Sequence, residues 1–213
     1  MLVEHERTVA VDSPKRRQVL EAATALFMAH GYGAVSMDAV ARAAGVSKAT
    51  LYAYFASKDE LFGQLMHERA KSKQIDESLL VPGLGGLREA LETLGRKLVR
   101  YMLHEQTLAI YRIAIGEGHR FPELGRAFHA SGPKRGCDWL RGWVSRQQDA
   151  GLLRPADPAV AAEQLISLLR SDLFLRASLR LEPPPTDAEI DASVAAAVDT
   201  WLRAYAADPP TPG

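Results

Sequence analysis

The chain has 213 residues, 47% of them hydrophobic and 24% charged, enough apolar material to bury a sizeable core and too much for a disordered chain. Twenty-six Lys and Arg balance 26 Asp and Glu, which excludes a globally basic protein and leaves any nucleic-acid signal to a local patch. The single cysteine, Cys137, excludes a disulfide framework and a multi-cysteine zinc site, and fits a reducing compartment.

The start, Met-Leu-Val-Glu-His-Glu, is acidic where a secretory signal would be basic and then apolar, and no apolar run reaches the roughly 18 residues that a membrane helix needs. A soluble, cytoplasmic protein without a membrane partner is expected. Residues 1–13 lack helical periodicity and read as a flexible arm. A first helix is expected from Pro14 to about His30, with Val19, Ala22, Ala23, Leu26 and Phe27 on its apolar face. It ends at Gly31-Tyr-Gly33, where glycine accepts a left-handed backbone. Ser36 caps a short second helix through Met37, Val40 and Ala41. Ala44-Gly-Val46 then bends the chain, and Ser47 caps a third helix. Short helix, glycine turn, short helix is the pattern of a helix-turn-helix. Ser57-Lys-Asp-Glu60 reads as a capping box opening a fourth helix through Leu61, Phe62, Leu65 and Met66, continuing to about residue 76.

Charge separates this pattern from an ordinary helical hairpin. Within residues 14–58 the cations Lys15, Arg16, Arg17, Arg42, Lys48 and Lys58 face only Glu21 and Asp38, a surplus of four in a neutral protein. Such a patch is the electrostatic footprint of a DNA-binding surface. The third helix, Ser47-Lys-Ala-Thr-Leu-Tyr-Ala-Tyr-Phe55, offers small, hydroxyl and tyrosine side chains that approach a groove and donate to phosphate, while Leu51 and Phe55 turn inward toward Phe27.

Pro82-Gly-Leu-Gly-Gly86 is the strongest breaker cluster and marks the expected domain boundary, with a second domain over 83–207. In that domain Leu87, Leu91, Leu94, Leu98 and Tyr101 share one helical face, opposite Arg88, Glu89, Glu92, Arg96 and Arg100. Gly116, Ser131-Gly-Pro133, Gly151 and Pro183-Pro-Pro185 read as turns, and Asp157-Pro158 as an N-cap with proline in the first turn. Residues 157–177 are too apolar for a helix with one buried face. They suit a helix between a core and a second subunit, paired with the helix from Pro133 to Ala150, although a central helix of a monomer has the same pattern. Thr186-Asp-Ala-Glu189 is a capping box that opens a last helix through Ile190, Val194, Ala197, Trp201 and Tyr205. The proline-rich end, 208–213, reads as a disordered tail.

Arg16-x-x-Val19, Ala22-Ala23, Leu26-Phe27, Gly31-Tyr32, Ala44-Gly-Val-Ser47, Leu51-Tyr-Ala-Tyr-Phe55, Ser57-Lys58 and Leu61 together resemble the DNA-binding domain of the TetR/AcrR regulator family. Gly116-Glu-Gly-His-Arg-Phe-Pro-Glu-Leu124, Phe128, Gly132-Pro133 and Ala161-Ala-Glu-Gln164 resemble the AefR-like type of TetR C-terminal domain. The resemblance implies an all-α protein: a three-helix DNA-binding domain over 14–62, then a larger helical domain that binds a ligand and forms a homodimer. It also implies that Ser36, Ser47, Tyr52, Tyr54 and Lys58 hold phosphates, and that Arg42, Lys48, Ala49 and Thr50 contact base edges or the groove wall. Ser36 and Ser47 as caps alone, and Tyr52 and Tyr54 as partial core, remain open readings. Ala53 departs from the larger side chains common there in the family.

Tyr101, Met102, His104, Tyr111, Phe121, Phe128, Trp139, Trp143 and Phe174 are candidate lining for a pocket that takes an apolar or amphipathic effector. Each of them also suits an ordinary core. His104, His119 and His129 lack ligand spacing for a metal, and Cys137 reads as a small buried residue before a redox sensor. No nucleophile elbow, phosphate loop or dinucleotide fingerprint points to an enzyme or a cofactor. The expected function is a ligand-responsive repressor that binds a palindromic double-stranded operator as a dimer. An activator or architectural DNA binder of the same fold, without an effector, is the alternative.

Overall fold

The computed structural model describes residues 13–72 and 86–207. Ten helices order these residues: α1 Pro14–His30, α2 Met37–Ala43, α3 Lys48–Tyr54, α4 Lys58–Ser72, α5 Gly86–Leu103, α6 Glu105–Glu117, α7 Pro122–Ser131, α8 Pro133–Asp149, α9 Pro158–Ser178 and α10 Asp187–Tyr205. The expected all-α architecture is present. The expected arm from 1 to 12, the end of the fourth helix after residue 72, the breaker cluster up to residue 85 and the tail from 208 lie outside the described residues.

The chain divides into two compact units. Unit one holds the chain up to Ala70 together with Ile113–Ser131, and unit two holds the remainder. Within the expected second domain, 83–207, α6 begins in unit two and ends in unit one, and α7 belongs wholly to unit one. Gly116, expected in a turn, lies inside α6.

In unit one the helix ends follow local chemistry. Ser13, expected in the arm, is the N-cap of α1 and accepts from the Arg16 amide. Ser36 and Ser47 cap α2 and α3 by accepting from Ala39 N and Thr50 N. At each of these helix starts one orphan amide is thereby satisfied, each cap contributing about 1 kcal/mol. Gly45, at φ +62°, makes the bend between α2 and α3. At α4 the Glu60 amide donates to Ser57 Oγ, but the Glu60 carboxylate accepts from Ala56 N, one residue before the cap. Val19, Ala23, Phe27, Tyr32, Val40, Leu51, Phe55, Leu61 and Phe62 are buried. Phe27, Tyr32 and Phe62 form a ring cluster with centroids 5.3 to 5.9 Å apart, a spacing favourable for edge and tilted contacts.

In unit two, α5, α8, α9 and α10 close around Leu91, Leu94, Leu140, Trp143, Val144, Leu165, Leu169, Val194, Val198 and Trp201. The expected stripe of α5 faces this core, with Leu87 and Leu98 packed at its edge. A Cβ on Gly95 would lie 2.7 Å from Val194 Cγ1 and 3.0 Å from Leu169 Cδ2, so the glycine allows α5 to approach α9 and α10 closely. Trp201 buries its indole and donates to the Ala161 carbonyl at 2.8 Å. The expected capping box at Thr186 and Glu189 is formed. Within α9 the backbone breaks at Ser171, with φ +41°, a conformation that costs a non-glycine residue energy. Its Oγ accepts from Ser193 Oγ at 3.1 Å.

Candidate nucleic-acid interface

One side of α3 is core and the other is solvent. Leu51 and Phe55 are buried, while Lys48, Ala49, Tyr52 and Ala53 are exposed, Tyr52 at 50%. A seven-residue helix with a glycine bend before it can enter a major groove only if one face is clear of the protein, and this face is. Its side chains are short apart from Lys48 and Tyr52, which permits close backbone approach. An open groove lined by Gly33–Asp38, Tyr52 and Lys58 runs alongside.

Several expected DNA contacts already have partners within the chain. Lys48 Nζ donates to Asp38 Oδ2 at 2.5 Å, and Thr50 Oγ1 shares a hydrogen bond with Ser47 Oγ at 2.8 Å. Both pairs are exposed, so solvent or phosphate competes with them at small cost. Ser36 and Ser47 act as caps, and the Ser36 hydroxyl hydrogen remains available to an acceptor. Tyr54 is half-buried, and its hydroxyl accepts from Ser13 Oγ at 2.8 Å, which makes it a link between α3 and α1. Arg42 is exposed on α2, with no ion pair among the described residues.

Lys58, expected to hold a phosphate, is already engaged within the chain. Its ammonium donates to the carbonyls of Tyr32 at 2.8 Å and Val35 at 2.9 Å, which uses two of its three donors. It also sits 4.2 Å from the centre of the Tyr32 ring, a favourable cation–π distance. Burial pushes its pKa down, while Asp59, Glu117 and Glu123 push it back up. The phenol of Tyr32 donates to Asp59, and burial, then that carboxylate, push its pKa up, so it remains a protonated donor.

Two features of this unit have no signal in the local sequence. Glu117, at the end of α6, accepts from Tyr32 N at 2.5 Å and from Gly33 N at 2.6 Å. Phe121 packs edge-on against Tyr32 with centroids 5.2 Å apart. Phe121 and Phe128 were expected in an effector pocket, but both belong to unit one. The other seven candidates are in unit two. Tyr111 and Phe174 meet edge to face at 5.0 Å with the Arg170 guanidinium 4.6 Å from Phe174. Trp143 is buried in the core, with Trp139 and Met102 packed on it, Tyr101 is half-buried, and His104 lies between α5 and α6, where Nδ1 accepts from Gln106 N. The Cys137 thiol is half-buried with its pKa raised by burial, then by Glu163 and Asp138, which disfavours the reactive thiolate.

A small helical unit that presents a clear, serine-capped helix after a glycine bend defines a protein with a helix-turn-helix DNA-binding domain. Residues 19–65 match the domain of the bacterial regulatory proteins, tetR family, and residues 89–207 match the C-terminal domain of AefR-like transcriptional repressors. The chain belongs to the TetR family of transcriptional regulators. It is 39% identical to the flavonoid-responsive regulator FrrA, whose solved structure superposes with a TM-score of 0.77 over 92% of this chain and 98% of that one. A TetR family regulator from Pseudomonas syringae pv. tomato str. DC3000 is 30% identical, with a TM-score of 0.73 over 90% and 97% of the two chains. Among curated relatives, the uncharacterized HTH-type transcriptional regulator YhgD of Bacillus subtilis is 26% identical over 82% of this chain and 89% of its own. No described helix is long and apolar enough to cross a membrane.

Proposed function

We propose that this regulator is a repressor that grips a palindromic double-stranded operator as a homodimer and is released by a small amphipathic effector. The observation that carries this reading is the clear outer face of α3, with Lys48, Ala49, Tyr52 and Ala53 exposed above a fully buried Leu51. Two copies of α3 spaced by one DNA turn, about 34 Å, would read two half-sites. For the dimer, α9 carries Val160 and Leu175, and its C-cap is Leu179, at 44%, 56% and 61% exposure, apolar side chains suited to a second copy. The apolar pattern of 157–177, which left a monomer open, is then explained by a core on one side and a subunit on the other.

The effector reading rests on unit two. Tyr111 and Phe174 with the Arg170 guanidinium against them form an aromatic and cationic cluster that suits a flat aromatic molecule with acidic hydroxyls. Trp139 Nε1 and Ser178 Oγ are buried without a hydrogen-bond partner among the described residues, and an unsatisfied buried polar atom costs about 1–3 kcal/mol. A ligand with polar groups relieves such a cost. The similarity to a flavonoid-responsive regulator makes a flavonoid the first effector to try.

The test is selection of genomic fragments by the purified full chain, then footprinting with and without a flavonoid series. Protection of a palindrome that the flavonoid abolishes is expected. Failure to retain any fragment at low ionic strength would overturn the DNA reading, and protection that no aromatic ligand alters would overturn the effector reading. Transcription from the footprinted promoter that falls when the gene is deleted would make the protein an activator.

A further inference from the structure

We propose that Glu117 is a positioning residue for the DNA grip, its carboxylate setting the angle at which α2 and α3 leave α1. This inference rests on the DNA-binding reading above. Between α1 and α2 lies the turn from Gly31 to Val35, and four of its backbone groups are held by two side chains of opposite charge. Glu117 takes the amides of Tyr32 and Gly33, one per oxygen, at 2.5 and 2.6 Å. Lys58 takes the carbonyls of Tyr32 and Val35 at 2.8 and 2.9 Å. Hydrogen bonds with an ionised partner are about twice as strong as neutral ones.

The glycines of the turn leave room for that carboxylate. A Cβ on Gly31 would lie 2.7 Å from Glu117 Oε1, and a Cβ on Gly33 would lie 3.0 Å from Oε2 and 3.3 Å from Phe121 Cε2. Gly31 is at φ +77° and needs glycine for its backbone alone. Gly33 is not in that region, so its small size serves the approach of Glu117 and Phe121. The next structured residue after the turn is Ser36, the cap of α2, so a shift of the turn carries the cap, α2 and the bend into α3 with it.

The sign of one substitution separates this role from its alternative. A carboxylate in a unit that binds a polyanion repels that polyanion, so a bystander replaced by Gln would tighten DNA binding. Gln also puts an NH2 group against a backbone N–H donor, so a positioning residue replaced by Gln would loosen specific binding. The experiment measures fluorescence anisotropy of the full chain with a genomic fragment it selects and with a scrambled duplex of the same length. It is run below the melting transition of every variant. Glu117→Gln is expected to lose about ten-fold on the selected fragment, the scale of one charge-assisted hydrogen bond, and far less on the scrambled one. Gly33→Ala, which displaces the carboxylate from the other side, is expected to lose a similar factor, and the double variant to be no worse than either single one. Glu117→Asp keeps the charge but not the reach, so an intermediate loss is expected. Amide exchange at Tyr32 and Gly33 is expected to speed up in all of these variants, and it reports on the clamp even if one of them is too unstable for binding work. Unchanged or tighter specific binding by Glu117→Gln, or losses that add in the double variant, would overturn the proposal while leaving the DNA reading intact. A wild-type chain that bound no fragment would sink both.

Discussion

Tyr32 shows how much a single side chain can hold in this unit. Its ring is fully buried against Phe27, Phe62 and Phe121, its carbonyl takes Lys58, its amide gives to Glu117, and its phenol donates to Asp59. Only the last of these depends on the hydroxyl. Tyr32→Phe keeps the ring and removes one donor, leaving Asp59, which is exposed, to be rehydrated. The loss should therefore fall at the low end for a hydrogen bond to a charged group, about 1.5 kcal/mol. The urea midpoint of the full chain measures it, and a midpoint equal to wild type would mean that water serves Asp59 as well as the phenol does. Because the phenol pKa is raised, the donor persists through the alkaline range in which an ordinary tyrosine ionises, so this loss should not vary between neutral pH and pH about 10.

At the scale of elements, α10 carries the clearest pH dependence. Glu189 has its carboxyl pKa pushed down to about 2, first by the Thr186 backbone amide, then by the Arg176 guanidinium and the Thr186 hydroxyl. A carboxylate with a pKa lower in the folded than in the unfolded chain stabilises fully above the unfolded value and loses that contribution as pH falls through the folded one. The window therefore runs from about pH 4.5 down to about pH 2. Glu189→Gln should flatten the acid limb of a plot of urea midpoint against pH in that window, and a limb of unchanged slope would remove the capping box from the account. This element was legible in the sequence because its chemistry is local: threonine and glutamate three apart before an apolar repeat. The same holds for the caps Ser36 and Ser47 and the bend at Gly45. The clamp by Glu117 was not legible, since it joins residues 84 and 85 positions apart, and one glutamate at a helix end has no pattern that names its partner. Nor was the break at Ser171, which falls inside an apolar run that reads as one continuous helix.

For the whole molecule, the balance of charge leaves the helix-turn-helix segment basic but not fully bare. The chain is neutral overall, and within the basic segment Arg16 is tied to Glu68, Lys58 to two carbonyls and Lys48 to Asp38. The first two are half-buried structural contacts. The third is exposed, with Lys48 66% and Asp38 43% accessible, so it contributes little to stability, about 0.2–1 kcal/mol, and can be exchanged for a phosphate. On the proposed DNA reading, a phosphate at Lys48 would have to displace Asp38 and would meet its charge, which would make Asp38 a brake on DNA affinity that does not depend on sequence. Asp38→Asn should tighten binding to selected and scrambled duplexes alike, about three-fold at about 50 mM salt, with the gain shrinking at about 200 mM as screening shortens the reach of the charge. Anisotropy titrations at the two salt concentrations read this directly. A gain confined to the selected fragment would mean that Asp38 shapes base contacts instead, and no gain at either concentration would mean that Lys48 does not meet phosphate at all.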